Sequence, residues 1–121
     1  MAQIENMRMQ AMVNTDFRKV IATGQHIQVV IMSVPADSEV GEEVHTDSDQ
    51  LLYLIDGMGT VVLDGVASDF NSGDLVFVPA GTRHNFITKD GNAMKIITTY
   101  SPPHHPDGFV EATKTPAAPA Q

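Results

Sequence analysis

Cysteine and tryptophan are both absent from the 121 residues. Without thiols there is no disulfide framework, zinc ribbon, iron–sulfur cluster or thiolate nucleophile. Positive charge is scarce as well: seven Lys and Arg stand against fifteen Asp and Glu, a formal charge of −8. Such a surface repels phosphate backbones and anionic bilayers, so neither nucleic acid nor membrane is expected as a partner. The deficit is uneven. No Lys or Arg occurs from Val20 through Thr82, whereas ten of the fifteen acids do, and a cation would find that stretch congenial. Long apolar runs are missing too: the longest, Leu51 to Ile55, is far short of the ~20 residues a membrane-crossing helix needs. Residues 1–10 carry neither the basic start nor the apolar core of a signal peptide, which predicts a cytoplasmic location.

What the chain does have is short runs of Val, Ile and Leu punctuated by Gly, Pro, Asp and Asn, the pattern of strands and turns. The candidate strands are Phe17 to Thr23, Ile27 to Val34, Glu42 to His45, Gln50 to Ile55, Thr60 to Leu63, Val66 to Phe70, Leu75 to Val78, Asn85 to Thr88 and Met94 to Tyr100. In the second of these Ile27, Val29 and Ile31 read as the core face, which leaves His26 on the surface. Between Leu63 and Val66 the pair Asp64-Gly65 suits the positive φ angles of a two-residue type I′ hairpin. Helical spacing shows only in Glu5 to Val13, where Met7, Met9 and Met12 either pack locally or serve as an arm against a second copy. The chain therefore reads as an arm over residues 1–16, one barrel over 17–111 and a frayed tail over 112–121. Many short strands in one small domain predict an all-β jelly roll, whose narrow interior can hold one small ligand.

Glu43 and His45, two apart in a strand-like stretch, project from the same side in a chelating geometry. A turn through Thr46-Asp47-Ser48-Asp49 leads to Gln50, a polar residue that heads an apolar strand face and would sit across from His45. Asp47 also lies two residues from His45, but Asp47 and Asp49 read as solvated turn acids. Later, Pro79-Ala80-Gly81 forms a tight turn that aims His84 at the start of the next strand, with Phe86 on the same face. Tyr53 faces away from Gln50. Glu43, His45, Gln50 and His84 thus supply two imidazoles, a carboxylate and an amide oxygen, a donor set suited to Mn, Fe, Co, Ni or Zn.

These residues carry a resemblance to the single-domain cupins. The first motif of that family runs Gly, five residues, His-x-His, three or four residues, Glu, six residues, Gly. Here the same spacing holds Asp37, Glu43-x-His45, Gln50 and Gly57. The second motif, Gly, five residues, Pro-x-Gly-x-x-His, three residues, Asn, maps onto Gly73, Pro79, Gly81, His84 and Thr88. Glu43 replaces a histidine and Gln50 the family's glutamate, so the carboxylate has moved within the set. The resemblance implies a double-stranded β-helix of RmlC-like type, a divalent metal inside the barrel and a homodimer, here through an exchanged amino-terminal arm.

The segment Ser101-Pro102-Pro103-His104-His105-Pro106-Asp107-Gly108 places paired histidines in a proline-stiffened loop after the last strand. As a cap on the barrel mouth it would let His104 or His105 exchange protons with a bound ligand. A structural clamp on the barrel or an exposed turn is the alternative. Leu52, Leu54 and Phe86 would make the pocket small and apolar. Two functions follow: a metal-dependent enzyme of lyase, isomerase or dioxygenase type, or a non-catalytic module that binds a sugar or organic acid.

Overall fold

The computed structural model describes residues 3–114. Residues 1–2 of the arm and 115–121 of the tail lie outside the described residues. Strand punctuation translates directly into architecture: one helix, α1 (Met7–Val13), precedes β1 (Arg18–Thr23), β2 (Gln28–Val34), β3 (Asp49–Asp56), β4 (Met58–Leu63), β5 (Val66–Asn71), β6 (Leu75–Val78), β7 (His84–Thr88), β8 (Met94–Ser101) and β9 (Val110–Glu111). These form an antiparallel sheet ordered β6-β3-β8-β2-β1-β9 and a smaller one ordered β5-β4-β7. This is the expected jelly-roll β architecture, with the interior between two facing sheets.

Strand alternation sends every second side chain inward, and the register lines these side chains up in rows across the large sheet. Gln28, Tyr100, Gln50 and Val78 form one row; Val30, Thr98, Leu52 and Val76 the next; Met32, Ile96 and Leu54 the third. The apolar rows meet Val61, Phe70 and Phe86 from the small sheet in one core. The turn between β4 and β5 is the predicted type I′ hairpin, with Asp64 at φ 47° and Gly65 at φ 81°, and it pairs Leu63 with Val66. Gly59 is required by close approach: a Cβ there would come within 2.3 Å of the Ile87 carbonyl oxygen.

Two expectations change. Residues 42–45 make no strand; Glu43 forms a single isolated bridge with His84. Gly41, at φ 103°, turns the chain there, and the segment follows β7 through separate contacts, the Val40 N–H on the Phe86 carbonyl (2.9 Å) and the Glu43–His84 bridge, instead of a continuous ladder. The inward face of β2 is the even-numbered one, so Ile27 is exposed and Ile31 is buried on the opposite side. There Ile31 joins Ala11 and Ile55 in a second cluster, packed by Met7, Met12, Ile21 and Ile97. Both faces of β2 are covered, which alternation alone does not reveal. Alternation likewise sends the adjacent Leu54 and Ile55 of β3 to opposite faces, and so into the two different clusters. Met7 and Met12 thus pack locally, while Met9 and His26 are exposed.

Candidate active site at the barrel mouth

Two backbone clasps bring the motifs together. Glu43 and His84 exchange N–H···O bonds of 2.9 Å in both directions, and the Gly81 N–H donates to the His45 carbonyl at 2.8 Å. Gly81, at φ 86° in the turn closed by Thr82 N–H on the Pro79 carbonyl (3.1 Å), delivers His84 to the first position of β7. The His45 and His84 ring centroids lie 5.1 Å apart, and Glu43 Oε2 is 3.7 Å from His45 Nε2. Gln50 enters the same neighbourhood from β3 through Tyr100, its partner in register, whose ring lies 5.7 Å from His45.

The proline-stiffened loop closes over this group. The His104 ring lies 4.2 Å from His45 and stacks on Tyr100 at 5.4 Å. His105 meets Tyr100 edge-on at 5.0 Å and stacks on Phe109 at 5.5 Å. Gln28, which is wholly buried, holds the loop in place. Its Oε1 accepts from the His104 N–H (3.2 Å) and the His105 N–H (3.0 Å), while its Nε2 donates to the His105 carbonyl (2.7 Å) and to Thr23 Oγ1 (3.0 Å). Both donors and both acceptor positions of the amide are used.

Burial first, then the positive potentials of His104, His84 and Arg18, lower His45 to a pKa of about 4, against a smaller opposing effect of Asp47. Burial, then Arg18, His104 and His45, likewise lower His105 to about 4, with Glu111 opposing. Burial pushes the Tyr100 hydroxyl up to about 12. At neutral pH His45 and His105 are therefore neutral imidazoles and Tyr100 is a protonated phenol. Arg18, from β1, donates through Nη1 to Glu111 Oε1 at 3.0 Å and through Nη2 to Glu43 Oε1 at 3.5 Å.

Whether the donors suit a metal is tested by their unmet hydrogen-bonding capacity. His45 Nε2 and Gln50 Oε1 are buried without a hydrogen-bond partner. His84 Nδ1 donates to the Thr82 carbonyl at 2.9 Å, which leaves its Nε2 lone pair for another group. The Gln50 amide oxygen and the His84 Nε2 lone pair, together with His45 Nε2 in the tautomer that leaves it unprotonated, are groups a divalent cation satisfies. Among the described residues no three His, Asp or Glu side chains already form a metal-holding group, so the set depends on the Gln50 amide and on Glu43 leaving Arg18.

The predicted pocket residues Leu52, Leu54 and Phe86 are fully buried in the core, with Phe86 6.2 Å from His84 and 5.4 Å from Phe70. Asp49 does turn work, accepting from the Ala80 N–H at 2.9 Å, while Asp47 and Tyr53 face outward. Sequence reasoning missed Arg18, Gln28, Tyr100 and Glu111. Gln28 had a readable signal, a lone amide at the head of an apolar strand, the same signal that singled out Gln50.

A two-sheet β-roll with a histidine-lined mouth defines a class, and the comparisons agree. The Cupin domain family matches residues 30–100, and the chain belongs to the cupin family. It is 35% identical over 114 residues to the uncharacterized protein YrkC of Bacillus subtilis, covering 89% of this chain and 61% of YrkC. The crystal structure of BH2720 from Bacillus halodurans superposes with a TM-score of 0.91 at 30% identity, covering 94% of this chain and 91% of that one. An RmlC-like cupin from Shewanella frigidimarina gives 0.64 at 26% identity, covering 71% and 75%. The chain thus spans less than two thirds of YrkC. Among the described residues no helix is long and apolar enough to cross a membrane.

Proposed function

We propose that this cupin holds a divalent transition metal of the Mn, Fe, Co, Ni or Zn group on His45, His84 and Gln50, with Glu43 as the carboxylate, and acts there on a small molecule. The observation that carries this reading is the pair of buried, partnerless acceptors, His45 Nε2 and Gln50 Oε1, beside the oriented imidazole of His84. When bound, such an ion supplies Lewis acidity or oxygen activation to a reaction of lyase, isomerase or dioxygenase type. His104, exposed at the mouth and adjacent to His45, is placed to give or take a proton at the ligand. His105 supports it from behind, and Leu52, Leu54 and Phe86 set the depth and apolarity of the floor.

Elemental analysis of the purified protein tests this. Stoichiometric transition metal is expected in the wild type and is expected to be lost in both His45→Ala and His84→Ala. The 3.5 Å pairing of Glu43 with Arg18 favours a second reading, in which the mouth binds a sugar or organic acid without metal or catalysis. A metal-free wild type that still binds such a ligand would select it. A cytoplasmic location and self-association through residues 1–16 belong to the same proposal; Met9 and Val13, exposed on α1, support the latter.

A further inference from the structure

Arg18 is a buried cation with one donor, Nε–H, left without a partner. Its side chain is 10% exposed, and it lies 5.0 Å from the centroid of the Phe17 ring. Nη1 has a good partner in Glu111 at 3.0 Å. The other edge of the guanidinium, where Nε and Nη2 point the same way, does not: Nη2 reaches Glu43 only at 3.5 Å, and Nε is buried with no partner at all. That edge is the one a carboxylate takes side-on with two parallel bonds. A buried donor left unmade is costly, and native proteins rarely keep one without a use.

Room exists beside it. A cavity of about 190 Å³ is lined by Phe17, Arg18, Val40, Glu43, Glu111 and Lys114. Phe17 and Val40 are buried and give it an apolar wall, while Lys114, whose Nζ donates to the Glu39 carbonyl at 3.2 Å, adds a second positive charge at the rim. Glu43 joins this cavity to the histidine cluster, with Oε1 3.5 Å from Arg18 Nη2 and Oε2 3.7 Å from His45 Nε2, and Arg18 also acts on the Tyr100 hydroxyl through its charge and a side-chain hydrogen bond. The two carboxylates on the cavity balance the two cations, which would disfavour a further anion while Glu43 remains on Arg18.

We propose that Arg18 anchors the carboxylate of a small organic acid through its Nε and Nη2 edge, with the rest of that acid directed toward the His45, His84 and His104 side chains. The inference deepens the proposed function and rests on it in one respect: Glu43, by turning to the metal, releases Nη2 and removes a competing charge. The ligand class is therefore an acid, not a neutral sugar.

The test compares pyruvate with its uncharged amide, read by ligand-observed NMR on the full chain as purified and after chelator treatment. Pyruvate is expected to bind roughly tenfold or more tighter than the amide, the scale of a charge-assisted hydrogen bond. Arg18→Lys keeps the charge and lacks the side-on edge, so it is expected to lose most of that preference. Should that variant fold poorly, the wild-type protein provides the second measurement: the Arg18 Nε–H resonance should move downfield on addition of pyruvate. Equal binding of acid and amide, no binding of either, an unmoved Nε–H signal, or a preference that survives Arg18→Lys would each overturn the anchor. A preference abolished by chelator yet indifferent to Arg18→Lys would assign recognition to the metal and overturn it too. Acid selectivity that depends on Arg18 in protein shown to lack metal would sustain the anchor while the metal reading fails.

Discussion

Gln28, Tyr100 and Gln50 stand side by side at one end of the inner sheet face; two rows further along the same strands stand Met32, Ile96 and Leu54. Backbone, pleat and register are continuous between the two. Only the side chains differ, and the middle row, with Thr98 donating to the Leu51 carbonyl (2.7 Å) and accepting from Gln50 Nε2 (3.0 Å), is the transition. The small sheet repeats the gradient, His84 above Phe86. The far end is an ordinary apolar core that holds the sheets together. The mouth buries polar groups at the same depth, and four of their atoms, Arg18 Nε, His45 Nε2, Gln50 Oε1 and His105 Nε2, lack a partner, which opposes stability and makes sense if something binds there.

The sharpest way to break this comparison is to cut one residue from each end. Phe86→Ala, which empties a site against Phe70, is expected to cost about 3–5 kcal/mol in urea unfolding. His84→Ala, two residues away, should cost less than half as much while abolishing metal retention; equal costs would mean that the two ends are not distinct. Acid should then act on the mouth through its buried histidines. His45 has a folded pKa near 4 against 6.5 when unfolded, so the unfolded chain takes up the proton first. The stabilisation is complete above about pH 6.5 and is lost as pH falls toward 4, on the order of 2–3 kcal/mol for this group. Unfolding titrations of His45→Ala should show a flatter acid limb than wild type; identical limbs would refute the assignment. The smallest effect is expected from Gln28→Leu, about 1–2 kcal/mol. Its distinctive consequence is release of the His104–His105 loop, seen as new proteolytic cleavage there with the barrel intact.

Much of this contrast could be read in advance. The strand runs, the Asp64-Gly65 hairpin, the Pro79-Gly81 turn and the inward pair His84 and Phe86 all rest on local rules, alternation and turn stereochemistry, that hold wherever the chain lies. Glu43 and His45 keep their motif spacing although no strand forms there, because spacing and ladder pairing are separate matters. What escaped is long-range. Ile31 looked like barrel core because nothing local announces that α1 will cover the opposite face of β2. Arg18 and Glu111 meet only through the pairing of β1 with β9, nearly the whole chain apart. Gln28 is a polar residue in an apolar run, and its reason lies in the backbone of residues 104 and 105.

The place of β8 in the large sheet also governs when the molecule can assemble. It lies between β3 and β2, so the two outer portions, β6-β3 and β2-β1, have no hydrogen-bonded seam until it arrives. A ribosome emits the chain from the amino end, and most of the barrel is therefore synthesised before its joining strand exists. The histidine lid and Glu111 emerge later still. A ligand accordingly has no finished cradle on the nascent polypeptide until its carboxyl-terminal strands have been made.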